Sequence, residues 1–259
     1  MSVYLCIGDA AHKMYKLYVG IDGKARQVRK MYVGVNGQAC LAYQSGTPLG
    51  NFAVGSTVKL KVNGADRDFI VVHQGKPSSV YDDSCNGTWL LMKDTYTKMK
   101  WNRSNRNNDY KNSDIHSYLN GTFYNLIESD IRSAIKQVKI PYHNGTGSGG
   151  SLATGSNGLS TKVFSLSGTE AGVVESSMDS TEGTKLPYFD SGSKRIAYND
   201  GKASTWWLRS PYTSSKNSIW RIGTNGSGGY FYYDDSCGVR PCMILPPDTL
   251  VDETGHVIA

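Results

Sequence analysis

Apolar and polar residues alternate around two-residue turns at the N-terminus, and the pattern repeats. Lys16-Leu17-Tyr18-Val19-Gly20-Ile21-Asp22-Gly23-Lys24-Ala25 is echoed at a period of about 14 residues by Lys30-Met31-Tyr32-Val33-Gly34-Val35-Asn36-Gly37-Gln38-Ala39. Asp22-Gly23 and Asn36-Gly37 flanked by alternating residues signal type I′ hairpins. A lone hairpin is marginal in water, so these units must pack on something else. Residues 1–45 are therefore expected to form a β-hairpin appendage for docking or oligomerisation, and residues 46–259 the main domain. A polar link at 44–50 precedes another hairpin, Thr57 to Val62, the Asn63-Gly64 turn, then Asp68 to His73. Trp89-Leu90-Leu91-Met92 reads as a buried strand. The spacing then turns helical. Ser113 is placed to cap a short helix with Ile115, Tyr118 and Leu119 on one face and Gly121 as its stop. Ser129 or Asp130 opens a second helix bearing Ile131, Ala134 and Ile135. Residues 144–158 are rich in Gly and Ser and read as a long loop. Val163 to Leu166 looks like a strand, followed by loop up to Trp206. The pattern predicts an α+β class with two short helices, small antiparallel sheets and long loops.

The C-terminal region carries two rigid brackets, Trp206-Trp207-Leu208-Arg209-Ser210-Pro211 and Gly238-Val239-Arg240-Pro241. Between them residues 212–237 are a run of Tyr, Ser, Asn, Gly and Asp. Tyr and Trp give large contact area at low entropy cost, and Ser, Gly and Asn give adaptable hydrogen bonds. A fixed frame around such an insert is how a binding surface is built.

Composition narrows the function classes. The 259 residues include 17 Tyr and 29 Gly but only 19% charged residues, the balance of a loop-rich extracellular or virion-type surface. The net charge of +6 is spread out, apart from a short basic stretch at 24–30 that reads as the solvated face of a hairpin. Without a basic stripe or a known motif, nucleic acid is not an expected partner. The five Cys (Cys6, Cys40, Cys85, Cys237, Cys242) lack CxxC pairs, which argues against a disulfide scaffold or structural zinc site and for buried thiols. No signal-peptide pattern or membrane-length apolar stretch is present, so membrane insertion is not expected.

Four ordered motifs resemble a bacterial and phage domain family of C-type-lectin-like fold, known mainly as a domain of unknown function. They are Asn112-Ser113-Asp114-Ile115 with Tyr118, Leu119, Asn120 and Phe123; Lys162-Val163-Phe164-Ser165-Leu166-Ser167; and the two C-terminal brackets. The resemblance spans about residues 46 to 247. It implies a C-type lectin-like fold, with relatives among formylglycine-generating enzymes and phage receptor-binding proteins. Proteins of this kind include the variable targets of diversity-generating retroelements, in which the insert is mutagenised at adenines while the frame is kept. The N-terminal repeats resemble those of phage tail proteins. The resemblance thus implies a receptor- or ligand-binding protein on a phage tail or another extracellular or cell surface. Its partner would be a host-cell surface protein or glycan, and residues 1–45 would mediate homo-oligomerisation or tail assembly. The alternatives are a structural tail or baseplate subunit and a formylglycine-generating-type oxidase.

The expected ligand contacts are Tyr212, Ser214, Asn217, Trp220, Arg221, Tyr230, Phe231, Tyr232, Tyr233 and Asp234, because aromatics and Arg are the enriched hot-spot types. Strand alternation would let only about half of them face a ligand. Adenine mutagenesis of a typical Asn codon cannot produce Trp or Lys, which sets Trp220 and Lys216 apart from their neighbours. Trp206, Trp207, Arg209 and Arg240 are expected as frame, the arginines pairing internally with carboxylates or carbonyls. Asp234-Asp235 and Asp82-Asp83 offer too few oxygens for calcium, and the Glu-Pro-Asn and Trp-Asn-Asp motifs of sugar-binding lectins are absent. His12, His73, His116, His143 and His256 are in no ligand spacing, and no GxSxG elbow occurs. Only Cys237 and Cys242 form a near pair for an oxidase-like site. The expectation is no enzyme, no metal and no cofactor.

Overall fold

Local turn chemistry decides the first part of the chain. In a computed structural model that describes residues 3–7, 10–14, 17–145, 150–173 and 175–259, the N-terminal segment forms three two-stranded hairpins. They are β1 (Val3–Ile7) with β2 (Ala10–Met14), β3 (Tyr18–Ile21) with β4 (Lys24–Gln27), and β5 (Lys30–Val35) with β6 (Gln38–Gln44). Asp22 and Asn36 sit at φ 49° and 50°, each followed by a glycine at positive φ, the backbone a type I′ turn requires. Tyr18, Val19, Ile21, Tyr32, Val33, Val35 and Leu41 of these hairpins are all exposed.

The main domain is built on two five-stranded sheets. Its strands are β7 (Thr57–Val62), β8 (Ala65–Gln74), β9 (Thr88–Met92), β10 (Thr97–Lys100), β11 (Val163–Phe164), β12 (Trp206–Pro211), β13 (Ser218–Ile222), β14 (Gly228–Tyr232), β15 (Ser236–Val239) and β16 (Cys242–Leu245). The first sheet has the order β11-β16-β9-β8-β7 and the second β10-β15-β12-β13-β14. Pairing is antiparallel except between β12 and β15, where Trp206 lies opposite Gly238. Strand β7 buries Val58, Leu60 and Val62 and exposes Thr57, Lys59 and Lys61, the period-two pattern of a strand with one face on the core. Strand β9 is buried throughout, as a central strand covered on both faces must be.

Two chain segments pass from one sheet to the other side by side, β9 into β10 and β15 into β16. Met92 N–H donates to Pro241 O at 2.9 Å and Tyr96 N–H to Val239 O at 2.8 Å. The Arg240 side chain spans this crossing. It donates from Nε to Met92 O and from Nη2 to Lys93 O, both at 2.9 Å, and its guanidinium lies 4.9 Å from the Trp206 ring centroid. Burial holds its pKa down to about 10. Gly238 is required in the same place, since a Cβ there would meet Thr205 O at 2.8 Å and the Thr95 side chain.

The expected two-helix α+β, C-type lectin-like arrangement is corrected. The fold is sheet-rich, and its helix is one substantial stretch, α1 (Asp114–Tyr118), running on through a wide turn at Leu119–Phe123 to Leu126. Ser113 caps it, its Oγ accepting from His116 N–H at 3.1 Å. Gly121 does not stop the helix but lies inside the wide turn, while Ile115, Leu119 and Phe123 are buried. The second helical piece, α2 (Ser129–Ala134), ends when Ile135 turns extended and Lys136 N–H bonds to Ile244 O at 2.9 Å. Backbone docking on β16 overrides the helical spacing of Ile131, Ala134 and Ile135. The region between Leu166 and Trp206, expected as loop, contains a short hairpin of Ala197–Asn199 with Lys202–Ser204. The expected 144–158 loop contains a short strand at Leu152–Ala153, and its residues 146–149 lie outside the described ones. No helix among the described residues is long and apolar enough to cross a membrane.

Candidate binding face

Strand β12 carries the first bracket and is buried at every position. Trp206 Nε1 donates to Arg195 O at 2.8 Å and Trp207 Nε1 to Met99 O at 2.9 Å, so both indoles are core groups with satisfied donors. Arg209, fully buried, makes a two-pronged ion pair with Glu170 at 2.6 and 2.7 Å and donates to Pro141 O and Ser165 O at 3.0 Å. Burial opposes its charge, but Glu170 beside it holds its pKa above the ordinary value. Glu170 also accepts from Tyr81 Oη at 2.8 Å and from Ser167 N–H at 3.0 Å. A second carboxylate, Glu182, lies 3.6 Å from Arg209 Nε, accepts from His143 N–H at 3.0 Å and contacts Ser210 Oγ. Burial, partly offset by Arg209, pushes the Glu182 carboxyl up to about 7. These side chains are buried, and the network ties 141, 165–170, 182 and 209–210 together. Cys85, Cys237 and Cys242 are buried free thiols. Cys242 is pushed well above its ordinary pKa by burial and then by Glu170, the opposite of what a reactive thiol needs.

Glu170 and Glu182 were not singled out from the sequence. A signal for Glu170 was present, because Ser167 and Glu170 have capping-box spacing. Ser167 N–H bonds to Glu170 Oε2 and Glu170 N–H to Ser167 Oγ, both at 3.0 Å. Glu182 had no such local mark.

The insert 212–237 folds as the β13–β14 hairpin and the turns around it. In register, Ser218, Trp220 and Ile222 face Tyr232, Tyr230 and Gly228, while Ile219 and Arg221 face Phe231 and Gly229. Alternation therefore divides the five expected contacts on these strands, Trp220, Arg221, Tyr230, Phe231 and Tyr232, between two faces. On one, Trp220 is only 4% exposed and donates to Ser177 O at 3.2 Å. Above it Tyr212 and Tyr230 stack at 4.1 Å between centroids, with Trp220 edge-on to Tyr230 at 6.1 Å. Tyr230 and Tyr232 are the most exposed of these aromatics, at 51% and 61%. On the other face the Arg221 guanidinium lies 4.3 Å from the Phe231 ring centroid, and Phe231 meets Trp207 edge-on at 6.4 Å. Arg221 fits because Gly223 and Gly229 are beside it; a Cβ at either would crowd its guanidinium. Its Nε is buried without a hydrogen-bond partner.

Of the remaining contacts, Ser214 and Asp234 are exposed, while Asn217 and Tyr233 are half-buried. Tyr233 is fixed by its backbone. Its N–H donates to Asn217 O at 2.9 Å, and its carbonyl accepts from Trp101 N–H at 2.9 Å. The structure thus brings Tyr212, Tyr230 and Tyr232 together as a surface, with Ser218 beneath, and sets Trp220 under them as support. Arg221 and Phe231 form a separate half-buried group. Among the described residues no three His, Cys, Asp or Glu side chains converge as a metal site.

These features define a sheet-rich domain with a sealed Arg–Glu frame that presents an aromatic hairpin at one sheet edge. The chain belongs to the family described as Domain of unknown function (DUF6273), whose model matches residues 86–247, from just before β9 to just past β16. No curated protein and no solved structure matches the chain.

Proposed function

We propose that the protein is a non-enzymatic receptor- or ligand-binding protein that contacts a host-cell surface protein or glycan through its insert. In this reading it is displayed on a phage tail or another extracellular surface. The observation that carries the reading is the exposure of Tyr230 and Tyr232 on a strand whose inner layer, Tyr212 and Trp220, holds them in place. Large aromatics pre-positioned by packing lose little entropy on binding and are frequent hot spots. Retroelement diversification of the insert, implied by the resemblance, would act on exposed positions such as these while sparing Trp220. Replacing Tyr230 or Tyr232 by Ala should weaken binding of the full chain to host cells several-fold, and replacing both should remove it, with little change in melting temperature. Unchanged binding, or collapse of the fold, overturns the reading.

Residues 1–45 fit an assembly role within the same proposal. The hairpins β3–β4 and β5–β6 expose apolar side chains on both faces, and such hairpins need covering to be stable. Sedimentation of the chain with and without residues 1–45 tests this, since a monomer in both cases removes the role.

A further inference from the structure

Four outer edges belong to the two five-stranded sheets, and three of them are blocked. The free side of β7 is covered by the chain itself: Lys59 N–H donates to Gly255 O at 2.8 Å, Asn63 N–H to Leu126 O at 2.7 Å, and Glu128 N–H to Lys61 O at 3.1 Å. Strand β11 is two residues long and closed by the Asn120 amide, which donates to Val163 O at 2.9 Å and accepts from Val163 N–H at 3.2 Å. Strand β10 carries Lys98 and Lys100, both exposed, and charged edge residues of this kind discourage pairing. Strand β14, Gly-Gly-Tyr-Phe-Tyr, has no charge, no proline and an unbroken register with β13. It has no bulge of its own, and among the hydrogen bonds of the described residues its outer edge is capped at Tyr232 alone, by Asp235.

The hydrogen-bond phase of β14 is fixed by one contact. Tyr233 N–H bonds to Asn217 O, so bonded pairs recur at every second position, at Phe231 with Ile219 and Gly229 with Arg221. The backbone groups of Gly228, Tyr230 and Tyr232 must then point away from β13. Tyr232 N–H does so, donating outward to Asp235 Oδ2 at 3.0 Å. Among the hydrogen bonds of the described residues none involves the outward N–H or C=O of Gly228 or Tyr230. Two donors and two acceptors in strand geometry therefore stand open beside the exposed Tyr230 and Tyr232 rings.

We infer that the free edge of β14 takes up an extended polypeptide segment of the partner as a sixth strand, so that the ligand is a protein. The inference rests on the insert being the binding face and specifies what that face recognises. Open backbone groups at strand spacing match another backbone, which presents donors and acceptors at the same repeat. A saccharide has no such repeat. Side chains on one face of the incoming strand would lie across Tyr230 and Tyr232, where aromatic or β-branched residues pack best.

The test selects peptides from a displayed random dodecapeptide library with the full-length chain, then resynthesises an enriched peptide with single backbone amides N-methylated. Methylation at alternate amides should weaken binding more than about 10-fold, and methylation at the intervening ones should not. Tyr230→Pro removes the outward N–H without touching a bond to β13, and should bind more than about 10-fold more weakly than Tyr230→Ala. In the free chain the Tyr230 and Gly228 amides should exchange quickly with solvent while those of Gly229 and Phe231 are protected; peptide should slow Tyr230 and Gly228. If Tyr230→Pro fails to fold, the N-methyl series and the amide exchange still decide. Equal effects of all N-methylations, equal binding by the Pro and Ala variants, or a Tyr230 amide already protected in a concentration-dependent way overturns the inference, the last showing that a second copy holds the edge. Failure to enrich any peptide, with a glycan-array ligand lost in Tyr230→Ala, overturns the strand inference and leaves the binding face standing. Absence of both ligands overturns the two together.

Discussion

Replacing Glu182 with Gln should make the protein more stable at high pH. Glu170 already balances Arg209 through two short bonds, so Glu182 brings a second negative charge into a site with one positive charge. Burial raises its pKa from the ordinary 4.5 to about 7. The folded state therefore holds the Glu182 proton more tightly than the unfolded chain does. The stabilisation from this proton is complete below about pH 4.5 and disappears as the pH rises through about 7. The gap between the two values corresponds to about 3 kcal/mol. Gln is close in shape to the protonated acid, keeping an oxygen for His143 N–H and a donor for Ser210 Oγ. Glu182→Gln should equal the parent near pH 5 and exceed it by about 3 kcal/mol near pH 9, which is about 6–12 °C in melting temperature. Urea unfolding followed by tryptophan fluorescence across this range measures the difference directly. A variant less stable than the parent at pH 9 would refute the argument, because it would mean that the ionised carboxylate is needed to balance Arg209.

Trp220→Ala should cost about 3–5 kcal/mol, because the residue is nearly sealed beneath the tyrosines, and thermal unfolding will show it. Arg240→Lys should cost about 2–3 kcal/mol in denaturant unfolding, since a single ammonium cannot hold both Met92 O and Lys93 O in the guanidinium's geometry. Gly238→Ala should lower stability by about 1–3 kcal/mol, the added methyl having Thr205 O in its place; an unchanged melting temperature would show that the β12–β15 contact relaxes freely.

What could be read from the sequence was local. The Asp22-Gly23, Asn36-Gly37 and Asn63-Gly64 turns state their geometry in two residues, and Asp22, Asn36 and Asn63 all adopt positive φ. Ser113 as a cap is equally local. The helix count failed because six residues at Ser129–Ala134 cannot compete with strand docking two positions later, and because the wide turn at Leu119–Phe123 absorbs Gly121. Glu170 and Glu182, 39 and 27 residues from Arg209, became its partners only through long-range packing, on which no spacing rule bears. The inward turn of Trp220 follows from the register of β13 against β14, which the chain sets by pairing at a distance.

The side-by-side placement of Trp206 and Gly238 has a consequence for variation. Strands β12 and β15 are parallel neighbours, so the chain leaves β12 at Pro211 and enters β15 at Ser236 toward opposite ends of the sheet, and β13 and β14 make the return within it. Lengthening the bend at Thr224-Asn225, whose side chains face solvent, changes loop-closure entropy only slowly and moves neither anchor. Foreign loops grafted there would inherit the same two attachment points. The architecture separates the sequence that can drift from the sequence that must stay, and the dividing line runs across a single hairpin.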